Sequence, residues 1–426
     1  MATYALATGR GCGYGNWAPA ASPIAFGVGL NGSCPNTDDW VAAMVSANIS
    51  YAILVAKHNC GFATWPTAVK LPNEAKYGYD IAHSSAPPGC NIVASFLDSC
   101  SRFGLRAGMY YSFATNLYLN VQGAIVQNRT LLPGMASVTQ KQFFDIALGQ
   151  VEELWSSAPR ELFELWADGG LPQDPYFHSG LVALKERYQP QAVFYNGAPS
   201  FNQTAVRWIG NEDGTAPDPT WSTGSCDMGN GGHGPLPEGG DPNSPYWCPA
   251  EVDSTLQAQD SWFYVQAAPL NSLRALVQSY HESVGRNSNW VLGLSPGPDG
   301  RLAPAHHELC AQLGSWLRAC FDKPAAAGAM AAGHSRLEVV LPEDGVLLNR
   351  IRLREDQSRG QRVRAYNLSA TLVGPAGVTV ALAGGSSIGA GKIDVFGSVH
   401  ATALQLVTDA APTALHLEAF FCTDPE

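Results

Sequence analysis

Positive charge is scarce in this chain. Lysine and arginine number 25 in 426 residues, against 36 aspartates and glutamates, for a net charge of −11. The basic residues form no cluster, so nucleic acid and anionic membrane are not expected as partners. No apolar run approaches the roughly 20 residues that a membrane span needs, so no membrane insertion is expected. No two cysteines stand as CxxC, which leaves zinc without a ready ligand set. Nothing else in the chain demands a metal or a cofactor. The opening Met1-Ala-Thr-Tyr4 has neither the basic region nor the apolar core of a signal peptide.

What is present points to a well-buried globular protein. Apolar residues make up 46% of the chain and charged residues 14%, the reverse of a disordered composition. The length exceeds one ordinary core, so two domains are expected. The ten cysteines are even in number, and Cys90, Cys226 and Cys248 fall in loop-like sequence. That pattern suggests disulfides and an oxidising compartment. Cys226 with Cys248 and Cys310 with Cys320 are the convenient pairings, but sequence does not fix them. Sequons at Asn31, Asn48, Asn128, Asn202 and Asn367 point to the same compartment. The expectation is a secreted or lumenal protein whose Met1 is a mature or engineered start.

Short apolar runs alternate with helical periods from about residue 24 to 320. Tyr51–Ala56, Arg106–Tyr111, Glu161–Ala167, Ala192–Asn196, Val206–Gly210 and Asn289–Leu294 read as strands. Helices are expected after Thr37 and over Asn91–Phe103, Val138–Ser156, Tyr176–Tyr188, Leu270–Val284 and Ala303–Cys320. Repeated strand–helix units of this number predict an α/β fold, a (β/α)8-like barrel that is irregular where strand signals are faint. Residues 211–260 are rich in Gly, Pro, Asn and Asp and read as a long functional loop region. From residue 325 the pattern changes to short alternating strands, a C-terminal β-sandwich over 325–426 after a barrel over 1–324. Its few aromatics (Tyr366, Phe396, Phe420, Phe421) favour a bracing role over a sugar-binding one.

The chemistry sits at strand ends. Glu161-Leu-Phe-Glu-Leu-Trp-Ala-Asp168-Gly-Gly is a buried strand that stops at a carboxylate, the position where α/β barrels hold catalytic groups. A lone Asp-Gly is more often a turn, so partners must decide the matter. Lys57-His58-Asn59 ends another strand and offers hydrogen-bonding groups, with Trp65 nearby as a surface for a pyranose. Gly210-Asn-Glu212-Asp-Gly ends a third and brings a second carboxylate. Two carboxylates from separate strands suit glycoside hydrolysis, one as nucleophile and one as proton donor. Glu251, Asp253 and Glu164 are rivals for the donor role. Glu164 lies four residues before Asp168, on the same side of its strand.

Together these motifs resemble the α-L-fucosidases of glycoside hydrolase family 29. AKHNCGFATWP resembles their "KHHDGF…WPS" stretch, GLRAGMYYS their third strand and ELWADGG their "ELWFDG" strand. RWIGNEDG, WCPAEVDS and SWFY resemble the branch that prefers α-1,3/1,4-fucosides. SYHESVGRNSNWVLGLSPGPDGRL, REDQSRGQRVRAY and SSIGAGKID resemble later parts of the same proteins. The resemblance implies a retaining exo-hydrolase that releases α-L-fucose from a fucosylated oligosaccharide or glycoconjugate. Asp168 matches its nucleophile and Glu212 its acid/base; His58, Trp65 and Trp262 match sugar-contacting positions, and Asn59 and Tyr110 are further candidate substrate contacts.

Three departures stand out. Asn59 and Cys60 replace a histidine and an acid, and Ala25–Leu30 lacks the first-strand histidine. Cys60 is then available for a disulfide, for instance with Cys34. A retaining glycosidase for a related sugar such as an α-L-galactoside, or a carbohydrate-binding protein on the same barrel, is the alternative.

Overall fold

The computed structural model describes residues 2–4, 34–84, 86–195, 204–226, 239–259, 261–374 and 377–425. The sequence pattern at Ala25–Leu30, Cys12 and the sequons at Asn31 and Asn202 lie outside the described residues. Eight parallel strands form a closed barrel in chain order. They are β1 (Ala2–Tyr4), β2 (Tyr51–Lys57), β3 (Arg106–Ser112), β4 (Glu164–Asp168), β5 (Val193–Tyr195), β6 (Ala205–Trp208), β7 (Ala250–Thr255) and β8 (Ser288–Gly293). The ring closes where β1 pairs with both β2 and β8.

Helices α1 (Thr37–Ser46), α2 (Ile92–Phe103), α3 (Gln140–Ser156), α4 (Pro175–Tyr188), α5 (Leu273–Glu282) and α6 (Pro304–Phe321) follow β1, β2, β3, β4, β7 and β8 respectively, and among the described residues no helix follows β5 or β6. Their starts follow local capping chemistry. Asn91, Asp174 and Ser272 each accept a backbone N–H of the first turn, and Thr139 forms a capping box with Gln142. Such a cap is worth about 1 kcal/mol. Among the described residues no helix is long and apolar enough to cross a membrane.

The region over 211–260 is not all loop. It contains β7, whose sequence Ala-Glu-Val-Asp-Ser-Thr hid it from the apolar pattern. Its inward positions are the carboxylates Glu251 and Asp253, so the strand carries polar groups where a core strand carries apolar ones.

After α6 the chain forms β9 (Ala326–Ala331), β10 (Arg336–Val340), β11 (Val346–Glu355), β12 (Tyr366–Leu372), β13 (Thr379–Gly385), β14 (Lys392–Thr408) and β15 (Ala414–Phe420). These seven make one antiparallel sheet. The long strand β14 pairs with β11 along its first half and with β10 and β12 along its second. The sheet thereby folds around its own core of Met330, Leu348, Ile351, Leu353, Leu404, Leu406 and Leu417.

Cys226 and Cys248 are paired, as their spacing suggested. Two other expectations are corrected. Cys320 pairs with Cys422 and leaves Cys310 free and buried, because β15 returns the chain end to α6. Cys34 pairs with Cys90 rather than Cys60, which is itself disulfide-bonded.

The antiparallel sheet grips the barrel through polar contacts. Lys392 Nζ donates to Asp218 at 2.6 Å, Ser387 Oγ to the Thr220 carbonyl at 2.6 Å, and the Ser222 N–H to Gln361 at 2.9 Å. Arg350 and Ser387, both buried, belong to this seam. Deleting residues 325–426 should therefore give insoluble or inactive protein in an expression trial. A soluble, fully active barrel would contradict the bracing role.

Candidate active site

The strand ends at the C-terminal face of the barrel surround one cavity of about 260 Å³. Its lining includes His58, Asn59, Tyr110, Asp168, Glu212 and Trp262. Six of the seven side chains singled out in the sequence are thus brought together. Trp65 is not among them. Gly61, at φ 90°, turns the chain away after β2. Trp65 lies buried against α2 and α3, where its Nε1 donates to Glu153 at 2.8 Å.

Asp168 ends β4 opposite Ser112 of β3. Gly169 and Gly170 follow with φ of 71° and 79°, a turn that L side chains rarely adopt. A Cβ on Gly169 would also stand 2.4 Å from the Ala114 Cβ. The Asp-Gly-Gly signal is therefore a real turn, and it presents the carboxylate to the cavity. The Tyr110 hydroxyl donates to Asp168 Oδ2. Burial and the Asp168 charge both push the Tyr110 phenol well above its ordinary pKa, so it remains a donor.

Glu212 enters from the loop after β6. Asn211 shapes this loop by accepting the Asp213 N–H at 3.1 Å and donating to the Thr215 carbonyl at 3.1 Å. The Gly214 N–H then donates to the Asp253 carbonyl at 2.9 Å, which ties the loop to β7. Trp262 Nε1 donates to Glu212 Oε2 at 2.8 Å. Gly293 of β8 makes room for that indole; a Cβ there would lie 2.6 Å from the ring.

Sequence reasoning gave no site role to Trp166, Phe263 or Val55, which also line the cavity. Trp166 could have been found from its place two residues before Asp168 on the same strand face. Asp253, raised only as a rival acid, also lines the cavity. It accepts from Trp208 Nε1 at 2.8 Å, and burial pushes its carboxyl well above the usual range, with the Glu212 charge adding to the shift. Glu251 and Glu164, the other rivals, lie lower in the barrel and do not line the cavity.

His58 packs between Tyr110 at 5.8 Å and Phe263 at 5.2 Å. Burial lowers its pKa, which favours the neutral ring. Its Nδ1 is buried and has no hydrogen-bond partner among the described residues. Asn59 accepts from Ser112 Oγ at 2.9 Å through its carbonyl oxygen, so its amide group remains to face the cavity. Among the described residues no group of three or more His, Cys, Asp or Glu is arranged to hold a metal ion.

The model of the family described as alpha-L-fucosidase matches residues 26–320. The chain belongs to the α-L-fucosidase family. Curated relatives include α-L-fucosidase 1 of Arabidopsis thaliana, 24% identical over 89% of this chain and 76% of that one. A putative α-L-fucosidase 1 of Oryza sativa is 25% identical over 70% of this chain. The chain spans about half of the rice protein, 53% of its length. Among solved structures, a putative α-L-fucosidase from Bacteroides thetaiotaomicron superposes with a TM-score of 0.78 at 25% identity, covering 97% of this chain and 93% of that one. A Ruminococcus gnavus family 29 fucosidase in complex with fucose has the same fold, with a TM-score of 0.77 at 18% identity over 96% of this chain and 89% of that one.

One side chain beneath the cavity gives a pH signature. Lys57 is fully buried and donates to the carbonyls of Ser112 and Thr115. Burial lowers its pKa to about 7, against a partial upward pull from Asp168. A cation with a depressed folded pKa opposes folding below that value, and the cost fades as pH rises to the ordinary lysine value of 10.5. In urea unfolding, wild type should gain stability relative to Lys57→Met as pH rises from about 7 toward 10. A difference that stays flat over this range would contradict a neutral buried amine.

Proposed function

We propose that the protein is a retaining exo-glycosidase that removes α-L-fucose from fucosylated oligosaccharides or glycoconjugates. The observation that carries this reading is two carboxylates from separate strands facing one small cavity, each held by an aromatic donor. In the first step Asp168 attacks the anomeric carbon and the bond from that carbon to the aglycone oxygen breaks. Glu212 gives its proton to the departing oxygen. In the second step Glu212 takes a proton from water, whose oxygen displaces Asp168 and frees the sugar.

Further features support a 6-deoxy sugar. The cavity is at the small end of ligand pockets, suited to one monosaccharide. Phe263 and Val55 give it an apolar side on which a C6 methyl group can pack. His58 Nδ1, Asn59 and Asp253 supply polar groups for the ring hydroxyls. Asn59 stands in for a histidine of the family pattern as a hydrogen-bonding amide that carries no charge.

Asp168→Asn and Glu212→Gln should each lower kcat on p-nitrophenyl α-L-fucoside by about 10³-fold. Azide should restore turnover in one or both. Intact activity in Asp168→Asn would remove the nucleophile assignment. Cleavage of the α-L-galactoside with the α-L-fucoside left untouched would replace the substrate.

We further place the protein in the secretory pathway or outside the cell. Three disulfides among the described residues support this, as do the exposed sequon asparagines Asn48, Asn128 and Asn367. Protein made through a eukaryotic secretory pathway should lose mass on peptide N-glycosidase treatment. An unchanged mass would remove the glycoprotein reading.

A further inference from the structure

Beneath the cavity lies a pair of carboxyl groups that the reaction above does not use. Glu164 opens β4, and Glu251 is the second residue of β7. Their residues are 1% and 0% exposed. The two carboxyls are within hydrogen-bonding reach of each other, and Tyr51 also reaches both. Burial pushes both upward in pKa; Glu251 raises Glu164 further, whereas the hydrogen bond from Glu164 lowers Glu251. Two facing carboxyls in a dry interior share one proton, because both cannot ionise.

The hydrogen bonds decide which one is the anion. Glu251 Oε1 accepts from Trp166 Nε1 at 2.8 Å. Its Oε2 accepts from Asn289 Nδ2 at 2.7 Å and from the Tyr51 hydroxyl at 3.1 Å. Three neutral donors converge on Glu251, which is the environment of a carboxylate. Glu164 Oε1 has no hydrogen-bond partner among the described residues, which is the environment of a protonated acid donating through its other oxygen. The layer therefore carries its negative charge on Glu251, whose carboxyl pKa burial raises to about 7, so the charge is fully present only above that pH.

That charge is connected to the reacting groups. Trp166, fixed by Glu251, stacks on Tyr195 at 3.8 Å and on Tyr110 at 5.2 Å. Tyr110 in turn donates to Asp168. Along β4 the four-residue step from Glu164 to Asp168 is about 13 Å. The interior between them is packed with Tyr110, Trp166, Ile53 and Val291.

We infer that Glu251 is a positioning residue that holds a negative charge below the sugar and thereby favours attack by Asp168. The inference rests on the hydrolase reading of the same cavity. When Asp168 attacks, negative charge passes from Asp168 to Glu212 as the proton leaves, and the sugar ring gains positive charge. An anion below favours moving negative charge off Asp168, to which it is linked through Trp166 and Tyr110, and favours the positive ring. Over about 13 Å in an effective dielectric near 20, a full unit charge is worth at most about tenfold in rate. Glu251 touches neither substrate nor the reacting atoms; it acts through charge and through the Trp166 indole.

Two isosteric variants separate this from a purely structural network. Glu251→Gln removes the charge and keeps the volume. It should lower kcat on an aryl α-L-fucoside by about tenfold while KM stays within about twofold. Glu164→Gln replaces a neutral acid by a neutral amide that still donates to Glu251. It should leave kcat and KM within about twofold of wild type. Equal effects of the two variants, or an effect of Glu251→Gln on KM alone, would overturn the inference. Difference infrared spectroscopy gives an arm that does not depend on Glu251→Gln folding. One protonated carboxyl band of wild type should be lost in Glu164→Gln, while those of Glu212 and Asp253 remain, and a spectrum that loses no band overturns the charge assignment. A wild type inert on the fucoside would defeat the hydrolase reading instead, and the infrared arm would still judge the charge.

Discussion

A carboxylate turned into the interior of a barrel must find hydrogen-bond donors or lose its charge. In this chain aromatic rings supply them. Tyr110 donates to Asp168, Trp262 to Glu212, Trp208 to Asp253, and Trp166 with Tyr51 to Glu251. A bond to a charged acceptor is worth about 1.5–3 kcal/mol. The same rings fill the space that a barrel interior must fill. The aromatics thus do two jobs at once. They pack the barrel, and they allow acids to sit where an aliphatic core would forbid them. Lys57 follows the same rule with opposite sign: its amine is held by the carbonyls of Ser112 and Thr115 and lies over the Tyr111 ring at 4.6 Å.

This coupling explains which parts of the fold were legible in the sequence. Strand β4 could be read because its apolar run ends sharply at Asp-Gly-Gly. Strands β2, β3 and β8 could be read for the same kind of reason. Strand β7 could not, because its inward residues are Glu251 and Asp253 and its pattern is that of a loop. The strongest signal for a strand is hydrophobicity, and a strand that serves the site gives some of it up. The same logic hid the donors. Trp166 and Trp208 look like core residues until the carboxylates opposite them are known.

Proximity along the chain misled in two places. Trp65 follows His58 closely, yet the turn at Gly61 separates them, and Trp65 serves the packing of α2 and α3 instead. Cys310 and Cys320 share α6, ten residues apart, but both cannot serve one short bridge when Cys422 of the returning chain end meets Cys320. That contact spans 102 residues, and only the three-dimensional course of β15 reveals it. Cys226 with Cys248, offered by the sequence only as a convenient pairing, does form.

The antiparallel sheet enters the function through the loop that bears Glu212. That loop leaves the cavity at Gly214, which is bonded to β7, and continues to Ser222. Its far part is held by Lys392, Ser387 and Gln361 of the sheet, at Asp218, Thr220 and Ser222 respectively. Asn287 adds a bond from its Nδ2 to the Thr220 carbonyl at 3.0 Å, and its Oδ1 accepts the Ala390 N–H at 2.7 Å. The loop is thus fixed at both ends, by the barrel near Glu212 and by the sheet beyond it. A proton donor must hold its carboxyl within hydrogen-bond reach of the leaving oxygen through the reaction. A loop of this length would not hold that position alone, since ordering each residue costs about 1–2 kcal/mol. The contacts from the sheet offset that cost. Under the proposed reaction the sheet serves Glu212 without binding any sugar, and the few aromatics on it need no sugar-binding role.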